Sequence, residues 1–160
     1  LRNEVDELDK NNVKIVSIGN ISKLPTACRE ELNRASGATS KNTGLILNLA
    51  LNYGGRAEIT DAVRRISAAV LKGSIKPDQI DEKMISDNLY TSALPDPDLI
   101  IRPSGELRLS NFLLWQCAYS EFWFSNVYWP DFNSETLCSA IIDYQSRDRR
   151  FGGIKMREGR

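Results

Sequence analysis

Residues 44–51, Gly-Leu-Ile-Leu-Asn-Leu-Ala-Leu, constrain the fold more than any other stretch of this chain. The run is far too short to span a bilayer and has the length of a single strand. A strand that is apolar at successive positions rather than alternate ones must be covered on both faces, which is the condition of a central strand in a parallel sheet flanked by helices. Asn52-Tyr-Gly-Gly55 ends it sharply. Two further strand-like segments obey the same logic: residues 13–18, alternating and β-branched, and residues 99–101, Leu-Ile-Ile. Between them lie helical spacings, at Leu1, Val5 and Leu8, from Pro25 to about Ser36, and from Arg56 to Leu71 with Ile59, Val63, Ile66 and Val70 on one side. Residues 78–89 read as a short helix, residues 122–124 as a strand and residues 134–149 as a last helix. The expected fold is therefore α/β, a mainly parallel sheet flanked by helices.

The remaining constraints are subtractive. With 160 residues the expectation is one domain over residues 1–153, followed by a charged tail at residues 154–160. Lysine and arginine together number 21 and so do the acids, so no overall field favours nucleic acid or an anionic membrane, and any anion site must be local. There is no histidine, which removes Ser-His-Asp and Cys-His nucleophile systems and every zinc site that needs an imidazole. Cys28, Cys117 and Cys138 are three in number and widely spaced, which argues against a disulfide framework and for a reducing intracellular compartment. No apolar run reaches transmembrane length. Leu1 falls in mid-helix pattern with no methionine before Met84, so the chain reads as the C-terminal part of a longer polypeptide.

Chemistry concentrates in residues 102–111, Arg-Pro-Ser-Gly-Glu-Leu-Arg-Leu-Ser-Asn. Two arginines and two serine hydroxyls follow directly on an apolar strand, at the strand end where ligands bind in sheets of this kind. Guanidinium forks, hydroxyls and backbone N–H groups converging on one point suit a phosphate or diphosphate. Arg102, Arg108 and Ser110 are the candidate binding residues; the competing reading pairs the arginines with Asp96, Asp98 or Glu106. Glu121 sits among aromatic runs and needs a cation, either an arginine or Mg2+. Nine of the thirteen aromatic residues fall between Phe112 and Phe132, which points to core packing or a subunit interface. Arg147, Arg149 and Arg150 close the last helix, where basic residues complement the dipole.

Taken in order, Asn42-Thr-Gly-Leu, Asn52-Tyr-Gly-Gly-Arg56, residues 98–106, residues 108–116, Tyr119-Ser-Glu121, Trp129-Pro-Asp-Phe132 and Arg149-Arg-Phe-Gly-Gly153 resemble the cis-prenyltransferases, the undecaprenyl and dehydrodolichyl diphosphate synthase family. The resemblance implies a dimer and a Mg2+-dependent condensation of isopentenyl diphosphate with an allylic diphosphate. By the same resemblance Arg102, Arg108 and Ser110 bind isopentenyl diphosphate, Glu121 helps hold Mg2+, and the Arg150-x-Gly152 element reaches the partner subunit's site. No catalytic residue is assigned. The family's His-x-Met-Asp-Gly-Asn-Arg-Arg segment is absent, which implies that this chain is inactive by itself. Pro103 replaces the family's usual threonine, fixing φ and removing one N–H. The wording of residues 102–112 is closest to plant members with short products such as neryl or lavandulyl diphosphate, which implies plastid or cytoplasm. The rival to an enzyme is a noncatalytic accessory subunit of a heteromeric prenyltransferase; such subunits have lost the Arg-x-Ser-Gly-Glu element that this chain keeps.

Overall fold

The computed structural model describes residues 1–148. They divide into two compact units, residues 1–95 and the residues from Asp96 onward, where the sequence suggests one domain.

The first unit contains α1 (Val5–Lys10), β1 (Lys14–Ile18), α2 (Thr26–Ala38), β2 (Ile46–Ala50), α3 (Gly55–Leu71) and α4 (Glu82–Asp87). Strands β1 and β2 run parallel, in register from Lys14 against Ile46 to Ile18 against Ala50. Val5, Ile15 and Ala35 bury one another at the centre, with Leu8 and Leu49 packed on them, so α1, α2 and one face of the strand pair share a core. Thr39 pins this arrangement: fully buried, its Oγ1 accepts from Ile15 N at 3.0 Å and donates to Ala35 O at 2.9 Å. A buried hydroxyl with both functions satisfied ties the end of α2 to β1 at no desolvation cost.

Two expectations are corrected here. Residues 44–51 are not covered on both faces: Leu45 is 71 % exposed and Ile46 44 %. The cause is that β2 has a single strand neighbour in its sheet and only its Leu49 reaches the core cluster. The inward face of α3 is also rotated by one residue from the expected stripe. Gly55, Glu58, Ala62 and Ile66 are buried, whereas Val63 is 52 % exposed. Small residues let the helix approach closely, and a carboxylate takes an inward position that apolar periodicity cannot register.

The second unit contains β3 (Leu99–Arg102), β4 (Glu121–Phe124) and α5 (Ser134–Ser146). The strands are again parallel, with Leu99 against Glu121 and Arg102 against Phe124. Between them residues 116–119 form a short 3-10 turn carrying buried Gln116 and Cys117. Asn133 caps α5, its Oδ1 accepting from Thr136 N at 2.9 Å. Parallel strands flanked by helices in both units agree with the expected α/β class. No helix among the described residues is long and apolar enough to cross a membrane, and Cys28, Cys117 and Cys138 are all free thiols. The expected tail at residues 154–160 lies outside the described residues.

Candidate diphosphate-binding site

The C-terminal end of β3 delivers Arg102 to the surface, and the loop that follows turns back on it. Ser104 and Gly105 have φ of 77° and 69°, and Ser110, Asn111 and Leu113 have φ of 50°, 65° and 45°. Left-handed backbone at non-glycine residues costs about 1 kcal/mol or more each and concentrates at functional sites. Here it curls residues 103–113 so that Ser110 faces the strand end it left, and Arg102 Nη2 donates to Ser110 Oγ at 3.3 Å. Among the described residues the other guanidinium N–H groups of Arg102 take no hydrogen bond.

Arg108 has an ion pair with Glu106, with side chains 63 % and 39 % exposed. Pairing of this kind is worth little in water, and an incoming phosphate can replace the carboxylate. Arg102 and Arg108 also line one edge of a cavity of about 410 Å³ whose other walls are apolar, among them Ile100, Phe112, Phe122 and Phe124. The arrangement is a greasy slot whose lining includes two arginines. It matches a molecule with a short hydrocarbon body and an anionic head.

One part of the expected chemistry is overturned. The backbone N–H groups of Ser104 and Gly105 are not aimed at an anion; they donate to Val127 O at 2.9 Å and Ser125 O at 2.7 Å. Beyond β4 the chain continues alongside the loop, and Ser125 N closes the pairing on Arg102 O at 3.0 Å. These bonds fix the first part of the loop, so the Ser104 and Gly105 amides serve as a mount for the side chains that follow. Gly105 suits this place because its φ of 69° would strain any other residue, whereas the Asn126 side chain 2.9 Å from a Cβ can swing aside.

Glu121 is not brought to this rim. It opens β4 level with Leu99, three residues along the ladder from the Arg102–Phe124 pair, which is about 10 Å at strand rise. Its Oε2 accepts from Arg147 Nη1 at 2.9 Å, and the same nitrogen donates to Phe122 O at 2.9 Å. The described residues contain no group of three or more possible metal ligands. Mg2+ takes one or two carboxylates together with phosphate oxygens. In this structure the Glu121 carboxylate is held by a guanidinium, at the other end of the strand from the candidate phosphate donors. Arg150 and Gly152 lie outside the described residues.

The turn Asn52-Tyr-Gly-Gly55 of the first unit is a structural joint. Asn52, at φ 46°, exchanges hydrogen bonds with Asn20, and Gly19, at φ 113°, lies so close to Leu51 O that a Cβ would fall 2.1 Å from it. Beside it is the feature sequence reasoning missed. Glu58 is fully buried, accepting from Tyr53 OH at 2.5 Å and from Tyr90 N at 2.7 Å. Tyr90 in turn donates to Asp61 and lies under the Arg65 guanidinium. Burial, then the bond to Asp61, pushes the Tyr90 hydroxyl up to about 12, and that bond holds the Asp61 carboxyl below its ordinary value. The only signal in the sequence was a tyrosine five residues before a glutamate at a helix start.

The chain is thus a parallel α/β protein with an arginine–serine loop on a strand end beside an apolar slot, the strand end being where ligands bind in such sheets. The comparisons narrow this. A family model described as putative undecaprenyl diphosphate synthase matches residues 1–152, and the chain belongs to that family. It is 61 % identical over 158 residues to the isoprenyl transferase of Clostridium acetobutylicum, covering 97 % of this chain and 62 % of that relative. It is 57 % identical to the isoprenyl transferase of Clostridium perfringens, covering 97 % of this chain and 61 % of the relative. The chain thus spans less than two thirds of the length of these relatives. Among solved structures, it superimposes on lavandulyl diphosphate synthase from Lavandula x intermedia, crystallised with dimethylallyl diphosphate, with a TM-score of 0.93, 39 % identity, and coverage of 95 % of this chain and 66 % of that one. A probable undecaprenyl diphosphate synthase from Campylobacter jejuni gives 0.81 at 33 % identity, covering 94 % and 68 %. The family resemblance read from the sequence is therefore correct. Its plant colouring is not supported by these relatives, since bacterial proteins match at 61 % and 57 % and the plant structure at 39 %; a plastid location gains nothing from them.

Proposed function

We propose that this chain takes part in prenyl transfer, binding isopentenyl diphosphate for condensation with an allylic diphosphate. The observation that carries the reading is the hydrogen-bonded Arg102–Ser110 pair, with Arg108 beside it, at the rim of an apolar cavity. In this reading Arg102 and Arg108 hold the diphosphate by charge-assisted bonds, Ser110 donates its hydroxyl to the same head group, and the apolar wall receives the hydrocarbon and excludes water. The double bond of the five-carbon unit attacks C1 of the allylic partner, the C1–O bond to its diphosphate breaks, and a proton leaves the new chain. Holding one diphosphate still contributes by orientation; it leaves the allylic diphosphate to be activated elsewhere. Mg2+ belongs to the proposal as an ion that neutralises diphosphate charge when bound; no described residue is assigned to it. Association of two copies also belongs to it, supported by Leu137, Ile141 and Ile142, which stand 41 %, 41 % and 65 % exposed on α5.

The test is product analysis with the protein expressed from its complete reading frame, given labelled isopentenyl diphosphate, Mg2+ and either dimethylallyl or farnesyl diphosphate. A labelled prenyl alcohol after dephosphorylation is the expected outcome. No labelled product with either partner would sink the reading.

A further inference from the structure

Among the described residues of the second unit, Arg147 is the most heavily engaged cation. As the residue that ends α5, with extended backbone at φ −83° and ψ 140°, it folds inward over β4. Its Nη1 bonds Glu121 Oε2 and Phe122 O, both at 2.9 Å, while Nε reaches Asp143 Oδ2 at 3.0 Å and Nη2 the same oxygen. The guanidinium is 29 % exposed and Glu121 33 %, so neither is a freely solvated surface group. The two carboxylates raise the Arg147 pKa, Glu121 foremost. The network joins one turn of α5 to the first two residues of β4. Phe122 also lines the cavity, and β4 is laddered to β3, which ends in Arg102.

We propose, building on the prenyl-transfer reading, that Glu121 is a positioning residue that acts through Arg147, not a metal ligand. Its carboxylate fixes the guanidinium that clamps α5 to β4, and the clamp sets the cavity wall beneath Arg102. A metal role would require the Glu121 carboxylate to give up its bond from Arg147 and to act from the far end of the strand. The clamp requires nothing beyond the contacts present.

The experiment uses the protein from its complete reading frame carrying Glu121→Ala, Glu121→Gln, Arg147→Met, or Glu121→Ala with Arg147→Met. Expected is a similar loss of kcat/KM for isopentenyl diphosphate in Glu121→Ala and Arg147→Met, about 10-fold, with the double variant no worse than either single one. Glu121→Gln, whose amide oxygen can still accept from Arg147, stays within about threefold of the parent, and the half-saturating Mg2+ concentration is unchanged in all four. A rise of about 10- to 100-fold in half-saturating Mg2+, confined to the Glu121 variants, overturns the proposal. Urea unfolding without any metal supplies an independent readout: the two single substitutions shift the midpoint non-additively if the clamp exists, and additive shifts overturn it. If the parent forms no prenyl product, the functional reading fails and the unfolding cycle alone decides the clamp.

Discussion

The two units treat charge in opposite ways. In the first, Glu58 is sealed from water and both of its oxygens meet fixed donors, so a charge serves as a structural part. In the second, Arg108 pairs with Glu106 in the open and Arg102 rests on one long hydrogen bond. The contrast separates two uses of polar residues. A buried group with every partner built in contributes to the fold and is costly to disturb. An exposed guanidinium with a weak partner contributes little to the fold and is available to a ligand.

The sharpest way to break this contrast is Glu58→Ala. It removes a fully buried carboxylate that accepts from the Tyr90 N–H and the Tyr53 hydroxyl, and a loss of about 2–5 kcal/mol is expected from urea unfolding. A loss below about 1 kcal/mol would show that water already reaches the carboxylate. Arg102→Ala should do the reverse: unfolding stays within about 0.5 kcal/mol of the parent, while calorimetry shows isopentenyl diphosphate binding weakened about 10- to 100-fold. Unchanged affinity would remove Arg102 from the site.

Tyr90→Phe sharpens the comparison through pH. The Tyr90 hydroxyl is raised from its ordinary 10 to about 12 in the folded chain, so the folded state retains a proton that the unfolded state gives up. Its contribution is complete below pH 10 and is lost as pH climbs from about 10 to 12. The parent should therefore lose more stability than the Phe variant across that window in paired urea titrations; parallel curves would refute the shift. Smallest of all should be Glu106→Gln, a change of about 0.5 kcal/mol or less in stability, as expected for an exposed pair. Its test is an anion titration with inorganic diphosphate, where freeing Arg108 tightens binding modestly; weaker binding would mean that Glu106 orients Arg108 and does not compete for it.

Much of this was legible because its causes are local. Residues 13–18 and 99–101 announce strands through β-branching and flanking glycine or proline, and the Arg102–Ser110 pairing could be anticipated because loop and strand end are covalently close. What escaped depends on contacts distant in the chain. The phase of α3 was misjudged because Glu58 turns inward toward Tyr90, 32 residues on. The loop's backbone N–H groups were read together as anion donors because nothing in residues 102–111 shows that residues 125–127 run beside Ser104 and Gly105 and take their amides. Glu121 was read as needing an arginine or Mg2+, but no local pattern could say that its arginine lies 26 residues downstream, just past α5. The length of a run reveals that it is a strand, but its neighbours decide how far it is covered, as β2 illustrates.

The rigid mounting of residues 103–105 has a consequence for selectivity. A phosphate cradle made of amides measures the shape of its guest, because the donors cannot move. Here the amides of Ser104 and Gly105 are committed to residues 125–127 and Pro103 has none, so recognition leans on two long-stemmed guanidinium groups and the Ser110 hydroxyl. Such a site counts negative charge more than it gauges geometry. Its affinity should decline steadily with ionic strength, and discrimination between one diphosphate ester and another must come from the hydrocarbon that the slot admits.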